Sequence, residues 1–149
     1  IDLDEAIHNA IRHVDLLVKS KKGYISTSFE ASDTLFKGNL NHITNLIINL
    51  LDNSIKYSDN PPKIRIATSN TNKHLVFTIE DSGIGMDLTT QKFVFEKFYR
   101  VQSGNIHNIK GHGLGLSYVK KIVDLHNGSI DLFSNVGKGT AFTISFPKK

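Results

Sequence analysis

Hydrophobic positions along the chain fall into blocks with two periods. Ile7, Ala10, Ile11, Val14, Leu17 and Val18 recur at helical spacing, which predicts an amphipathic helix over residues 4–19, capped by Asp2 or Asp4 and broken by Gly23. Tyr24 to Glu30 reads as a strand. From about residue 40 to 57, Ile43, Leu46, Ile47, Leu50, Leu51 and Ile55 form one apolar stripe, and Pro61-Pro62 stops that helix. Ile64, Ile66 and Thr68 then alternate with polar residues, Leu75 to Glu80 continues the alternation, and the polar turn Ser69-Asn-Thr-Asn72 joins the two runs into a hairpin. Leu114 to Leu125 is helical again, with Leu116, Val119, Ile122 and Val123 inward. Ile130 to Phe133, followed by Phe142, Ile144 and Phe146, makes a last hairpin around Gly137-Lys-Gly139.

The order α-β-α-β-β-loop-α-β-β predicts an α+β fold: a two-layer α/β sandwich, with helices on one face of a mixed, mostly antiparallel sheet. Residues 82–112 keep no sustained period. Such a stretch is rare in a compact domain and reads as a functional lid. It carries Phe93, Phe95, Phe98 and Tyr99, too many aromatics for an idle linker. A short helix on a satellite core is the other reading, and the two are compatible.

With 149 residues and 39% hydrophobic content, the chain suits one domain, residues 1–149, with a substantial core. The net charge of +4 is scattered, without the basic stripe and interleaved aromatics of a nucleic-acid interface. Cysteine is missing, which excludes disulfides, zinc ribbons and thiol catalysis and is compatible with a reducing compartment. No apolar run is long enough to span a membrane, so no direct membrane contact is expected. Opening at Ile1 rather than Met, the chain reads as a piece of a longer protein.

Asn45, Asn49 and Asn53 stand four residues apart on the second helix, followed by Lys56 and Tyr57. Asparagine is a poor helix former, because its amide competes for backbone hydrogen bonds. Three along one edge of a core-facing helix point to a ligand that needs neutral oxygen donors and one fixed cation. Nucleotide phosphate with hydrated magnesium fits. The strand ending at Glu80 runs into Asp81-Ser-Gly-Ile-Gly-Met86, where Gly83 and Gly85 permit close backbone approach to a ligand and Asp81 can accept from an exocyclic amine. An ordinary turn has the same pattern. Gly111-His-Gly-Leu-Gly115 opens the last long helix, where exposed N–H groups and the dipole favour phosphate. It is neither a dinucleotide fingerprint nor a Walker A loop. Gly137-Lys-Gly-Thr140 is a glycine turn whose threonine could stand beside Asp81.

Taken together these blocks resemble the GHKL (Bergerat-fold) ATPase superfamily, most closely the catalytic ATP-binding domain of sensor histidine kinases. The likeness covers essentially the whole chain. Asn49-Leu-Leu-Asp-Asn-Ser-Ile-Lys-Tyr-Ser58 is similar to the N box, Asp81-Ser-Gly-Ile-Gly85 to the G1 box, and Phe95-Glu-Lys-Phe-Tyr-Arg100 to the F box. Gly111-His-Gly-Leu-Gly-Leu116 resembles the G2 box, and Gly137-Lys-Gly-Thr140 the short glycine box after it. The resemblance implies that Asn53 binds Mg2+ with Asn49 in support, that Lys56 meets the ATP phosphates, and that Tyr57 stacks on adenine. It implies further that Asp81 accepts from the adenine amine, with Gly83, Gly85, Met86 and Thr140 completing that end. Tyr99 and Arg100 belong to the lid, with Arg100 able to reach the γ-phosphate. Gly111, His112, Gly113, Leu114, Gly115 and Leu116 frame the phosphates, with His112 open between hinge packing and a phosphate contact. Asn39 stands where many relatives carry Asp, a difference expected to matter little.

Hydrolytic members of the superfamily carry a Glu four residues before the magnesium Asn. Here that position is Asn49, which cannot act as a base. Transfer of the γ-phosphoryl to a histidine, in two-component signal transduction, is therefore the expected activity. The acceptor setting is not in this sequence. His8, His13, His42 and His126 all read as structural or surface residues, so the chain is expected not to phosphorylate itself. The partners implied are a histidine-bearing dimerisation domain of the same kinase, upstream, and a response regulator receiver domain. The setting implied is cytoplasmic, whether or not the parent kinase is membrane-anchored. An anti-sigma serine kinase of the same fold, or a nucleotide-sensing interaction module, are the alternatives.

Overall fold

The computed structural model describes residues 1–58, 61–96 and 115–148. Helix α1 (Leu3–Ser20) begins where the Asp2 side chain accepts from the Asp4 N–H, so Asp2 rather than Asp4 is the cap. Leu3, Ala6, Ile7, Ala10, Val14 and Val18 are its buried stripe. Its stop comes ahead of the glycine. Lys22 takes the left-handed conformation at φ 59°. The Gly23 N–H reaches the Val18 carbonyl at 2.9 Å and the Lys22 N–H reaches Lys19, the pair of bonds of a Schellman stop. Gly23 answers a different need, since a Cβ there would stand 2.4 Å from the Pro62 carbonyl oxygen.

Strand β1 (Tyr24–Phe29) leads to α2 (Leu40–Lys56), capped by the Asn39 side chain, which accepts the His42 N–H. Asparagine and aspartate are near equals at this position, so Asn39 costs the helix little. β2 (Lys63–Asn70) and β3 (His74–Asp81) form the expected hairpin. α3 (Leu88–Phe93) lies inside the aperiodic stretch, capped by Asp87, which accepts the Thr90 N–H at 2.7 Å. Val94 beyond it is buried, and Phe95 meets Phe142 edge-on at 6.1 Å, so this segment joins the main core and not a satellite. α4 (Gly115–Leu125) ends at Asn127, φ 57°, with a second Schellman stop onto Val123 and Asp124. β4 (Ser129–Asn135) and β5 (Gly139–Pro147) complete the chain.

The five strands make one sheet in the order β1-β2-β3-β5-β4. β1 pairs parallel to β2, and the other pairs are antiparallel. A parallel pair needs a crossover, which α2 provides. The core fills the space between helices and sheet: Leu46, Ile47, Leu50 and Leu51 of α2 against Ile66, Phe77, Ile79, Phe142 and Ile144 of the strands. On β2 the buried positions alternate with exposed Lys63 and Arg65, the mark of a sheet covered on one face. This packing aligns the C-terminal end of α2 with the end of β3 and the start of β5.

Candidate functional site

At that junction Asn53, Tyr57, Asp81, Gly85, Met86 and Thr140 line a single cleft. Each comes from a different local rule. Asn53 falls on the polar edge of α2, one turn before its end, and Tyr57 is the C-cap whose N–H returns to the Asn53 carbonyl at 3.1 Å. Asp81 is the last residue of β3 and sits directly opposite Thr140 of β5 in the register.

The loop after Asp81 is held by backbone contacts that tolerate no side chain. The Ile84 N–H donates to the Tyr57 carbonyl at 2.9 Å, and the Gly137 N–H donates to the Ile84 carbonyl at 2.7 Å. A Cβ on Gly83 would lie 2.6 Å from that Tyr57 oxygen. Gly85 has φ 74°, and a Cβ there would lie 2.0 Å from the Asn135 carbonyl oxygen. Gly139, φ 106°, would put one 1.9 Å from the carbonyl oxygen of Asp81. The glycine pattern in both motifs thus reflects close main-chain packing around the cleft as well as the turn itself.

Burial raises the Asp81 carboxyl above its ordinary pKa, against hydrogen bonds from the Gly83 N–H, the Ser54 hydroxyl and the Thr140 N–H that lower it. Oδ1 accepts from the Gly83 N–H at 2.8 Å. The carboxylate is therefore a fixed acceptor at a half-buried wall, suited to an amine donor on a planar ligand.

Asn49 stands one turn before Asn53. Its Nδ2 donates to the main-chain carbonyl of Asn45 at 2.9 Å, a bond that any residue at that position could accept, and its Oδ1 faces Gly115 at the start of α4. Lys56 lies exposed at the end of α2, while Leu116 is buried in the core. Tyr99, Arg100, Gly111, His112, Gly113 and Leu114 lie outside the described residues. His126 is structural: its Nε2 accepts the Asn39 N–H at 3.1 Å and its Nδ1 lies 2.8 Å from the Ile122 carbonyl, tying the end of α4 to the cap of α2.

Three residues at the site are given no role by the sequence, although Ser54 lies within the block similar to the N box. Ser54 is buried beside Asp81, at the stripe position one turn after Leu50. Ser134 follows Ile130 and Leu132 at period two on the same face of β4, where the alternation calls for an apolar residue. Gln91 of α3 donates to the carbonyls of Met86 at 2.9 Å and Ser134 at 3.2 Å. A polar residue in an apolar register is the available signal for both serines.

The donor set fits a nucleotide. Asp81 offers a fixed acceptor for an amine, and Asn53 offers one neutral amide oxygen, enough for a magnesium ion that keeps its other ligands from phosphate and water. No cluster of three or more His, Cys, Asp or Glu that could hold a metal occurs among the described residues. No helix among them is long and apolar enough to cross a membrane.

Comparison with known proteins decides the lineage. Residues 38–149 match the model of the "Histidine kinase-, DNA gyrase B-, and HSP90-like ATPase" family. The chain belongs to that ATPase family. Within it, the sensor protein RprX of Bacteroides fragilis (strain YCH46) is 40% identical over 149 residues, covering 99% of this chain and 29% of RprX. The signal transduction histidine-protein kinase ArlS of Staphylococcus aureus (strain USA300) is 42% identical over 101 residues, 68% of this chain and 22% of ArlS. The chain thus spans under a third of the length of these relatives. The catalytic domain of histidine kinase ThkA, in a nucleotide-free form, superposes with a TM-score of 0.85 at 23% identity, covering 99% of this chain and 95% of that one. The mycobacterial sensor histidine kinase MprB gives 0.82 at 24%, covering 99% and 95%. These two likenesses establish that the fold of this family member is that of a histidine kinase catalytic domain.

Proposed function

We propose that this chain binds Mg-ATP in the cleft and delivers the γ-phosphoryl group to a histidine on a separate dimerisation domain of the same kinase, from which it passes to a response regulator receiver domain. The observation that carries the reading is Asn49. Its amide nitrogen is committed to the Asn45 carbonyl, and an amide has no basicity with which to activate water. A neutral imidazole acceptor needs no such base, because its ring nitrogen already offers a lone pair. The catalytic domain then contributes placement and neutralisation of charge.

In this reading Asp81 and Thr140 hold the adenine edge, Tyr57 stacks on its face, and Gly83, Gly85 and Met86 let the loop close around it. Asn53 holds magnesium, with Asn49 in support, and Lys56 faces the phosphates as a point charge. The metal, when bound, supplies electrostatic stabilisation of the transferring phosphoryl group. Arg100, Tyr99 and residues 111–116 complete the phosphate end. The sensor and histidine-kinase relatives favour this acceptor over a serine on an anti-sigma partner.

Calorimetric titration with Mg-ATP tests the binding half. Tight binding by the native chain and loss of its magnesium dependence in Asn53→Ala are expected, and identical titrations for the two proteins would refute the assignment. For the transfer half, radiolabelled ATP should place acid-labile phosphate on an added histidine-bearing dimerisation domain and none on this chain alone. Acid-stable label on a serine would overturn it.

A further inference from the structure

Ser134 of β4 makes three hydrogen bonds at the margin of the cleft. Its Oγ lies 2.8 Å from the Met86 N–H, 2.8 Å from the Gly139 carbonyl oxygen and 2.9 Å from Thr140 Oγ1. A serine hydroxyl has one proton and two lone pairs. The Gly139 carbonyl can only accept, so a close approach of the two oxygens requires the serine proton between them. The Met86 N–H occupies one lone pair. The other is left for Thr140, which must therefore donate its own hydroxyl proton to Ser134. Thr140 is only 7% exposed, so water is a poor competitor for that proton.

The consequence lies on the other side of Thr140. With its proton held by Ser134, Oγ1 presents only lone pairs to the cleft. Asp81, directly opposite in the register, is a carboxylate and also presents only acceptors. A base edge lying there meets two acceptors and no donor from either side chain.

Resting on the reading that the base sits against Asp81 and Thr140, we infer that Ser134 is a specificity-determining residue: by fixing the Thr140 proton it makes the cleft select a purine with an exocyclic amine over one with a carbonyl at the same position. Gln91 reinforces the arrangement, since it bridges the carbonyls of Met86 and Ser134 and so holds the loop against β4. Ser134 is a positioning residue, acting on the ligand through Thr140.

The test compares the dissociation constants of ATP and inosine triphosphate for this chain and its variants. The two differ in the C6 group, amine against carbonyl, and with it in N1, which is unprotonated in ATP and carries a proton in inosine triphosphate. In Ser134→Ala the threonine proton loses its acceptor and is free to turn into the cleft. The preference for ATP over inosine triphosphate should fall by at least about fivefold, the scale of one buried unsatisfied polar group. Ser134→Thr keeps the hydroxyl and should restore the ratio. In a Thr140→Val background, Ser134→Ala should change the ratio no further. Where the alanine variant fails to fold, Ser134→Cys serves, because a thiol is a weak acceptor, and the ratio should move the same way. Equal weakening of both nucleotides, or an unchanged ratio, would overturn the proposal while leaving ATP binding intact. A native chain that binds neither nucleotide would overturn the underlying reading and this proposal with it.

Discussion

Replacing Asp81 with asparagine should separate stability from binding. The carboxylate Oδ1 accepts the Gly83 N–H at 2.8 Å, and an asparagine oxygen can keep that bond. Its other arm becomes an NH2 and turns a donor toward the ligand's amine, where an acceptor stood. A hydrogen bond to a charged group contributes ~1.5–3 kcal/mol. At ~1.36 kcal/mol per decade, affinity for ATP should fall roughly 10- to 150-fold. Stability responds through its pH dependence. Burial raises the folded-state pKa of Asp81 above the ordinary 3.8, so the folded chain holds this proton more tightly than the unfolded one. The stabilisation from that proton is complete below 3.8 and is lost as pH rises through the raised value, which leaves the ionised carboxylate as a cost at neutral pH. Asp81→Asn removes that cost, and its NH2 arm also gives up accepting from the Ser54 hydroxyl and the Thr140 N–H. Thermal unfolding should therefore show the variant's stability falling less steeply than the native chain's as pH rises from acid to neutral. Isothermal titration supplies the affinity. Unchanged affinity, or a melting temperature with the same pH dependence as the native chain, would refute the reasoning.

Two left-handed glycines near the site should respond differently. Gly85→Ala incurs the backbone cost of ~1–2 kcal/mol and also drives a Cβ against the Asn135 carbonyl, so both melting temperature and ATP affinity should drop. At Gly137, φ 81°, a Cβ would meet nothing within 4 Å, so Gly137→Ala should show only the backbone cost and keep its affinity. In the core, Leu50→Ala removes a fully buried side chain and should lower unfolding free energy by ~2–5 kcal/mol in urea titration, with the slope of the transition unchanged.

Much of this architecture is legible in the sequence because apolar spacing is set by the geometry of the element that buries it. The α2 stripe from Ile43 to Ile55 and the alternation of Ile64, Ile66 and Thr68 are both buried as their periods require. Asp81 and Thr140 are readable as neighbours only through motif order, and the register supplies the contact. The helix stops differ in detail from expectation. Lys22 and Asn127 take the left-handed position that composition would assign to glycine, while Gly23 and Gly128 are kept by packing on neighbouring segments. The parallel pairing of β1 has no local signature, since partner choice depends on where α2 carries the chain. Ser54 and Ser134 escape a reading of the sequence because a lone serine in an apolar register looks like noise until its hydrogen bonds are seen.

The cleft draws Asn53 from α2, Asp81 from β3 and Thr140 from β5, and none of these elements makes it alone. A ligand held there recognises the assembled chain and not its unfolded ensemble. At a hundred times its dissociation constant such a ligand adds ~2.7 kcal/mol to the folded state. Resistance to proteolysis, which follows the population of opened molecules, would then rise and fall with the nucleotide supply. The same geometry that reads the ligand makes the lifetime of the domain a gauge of it.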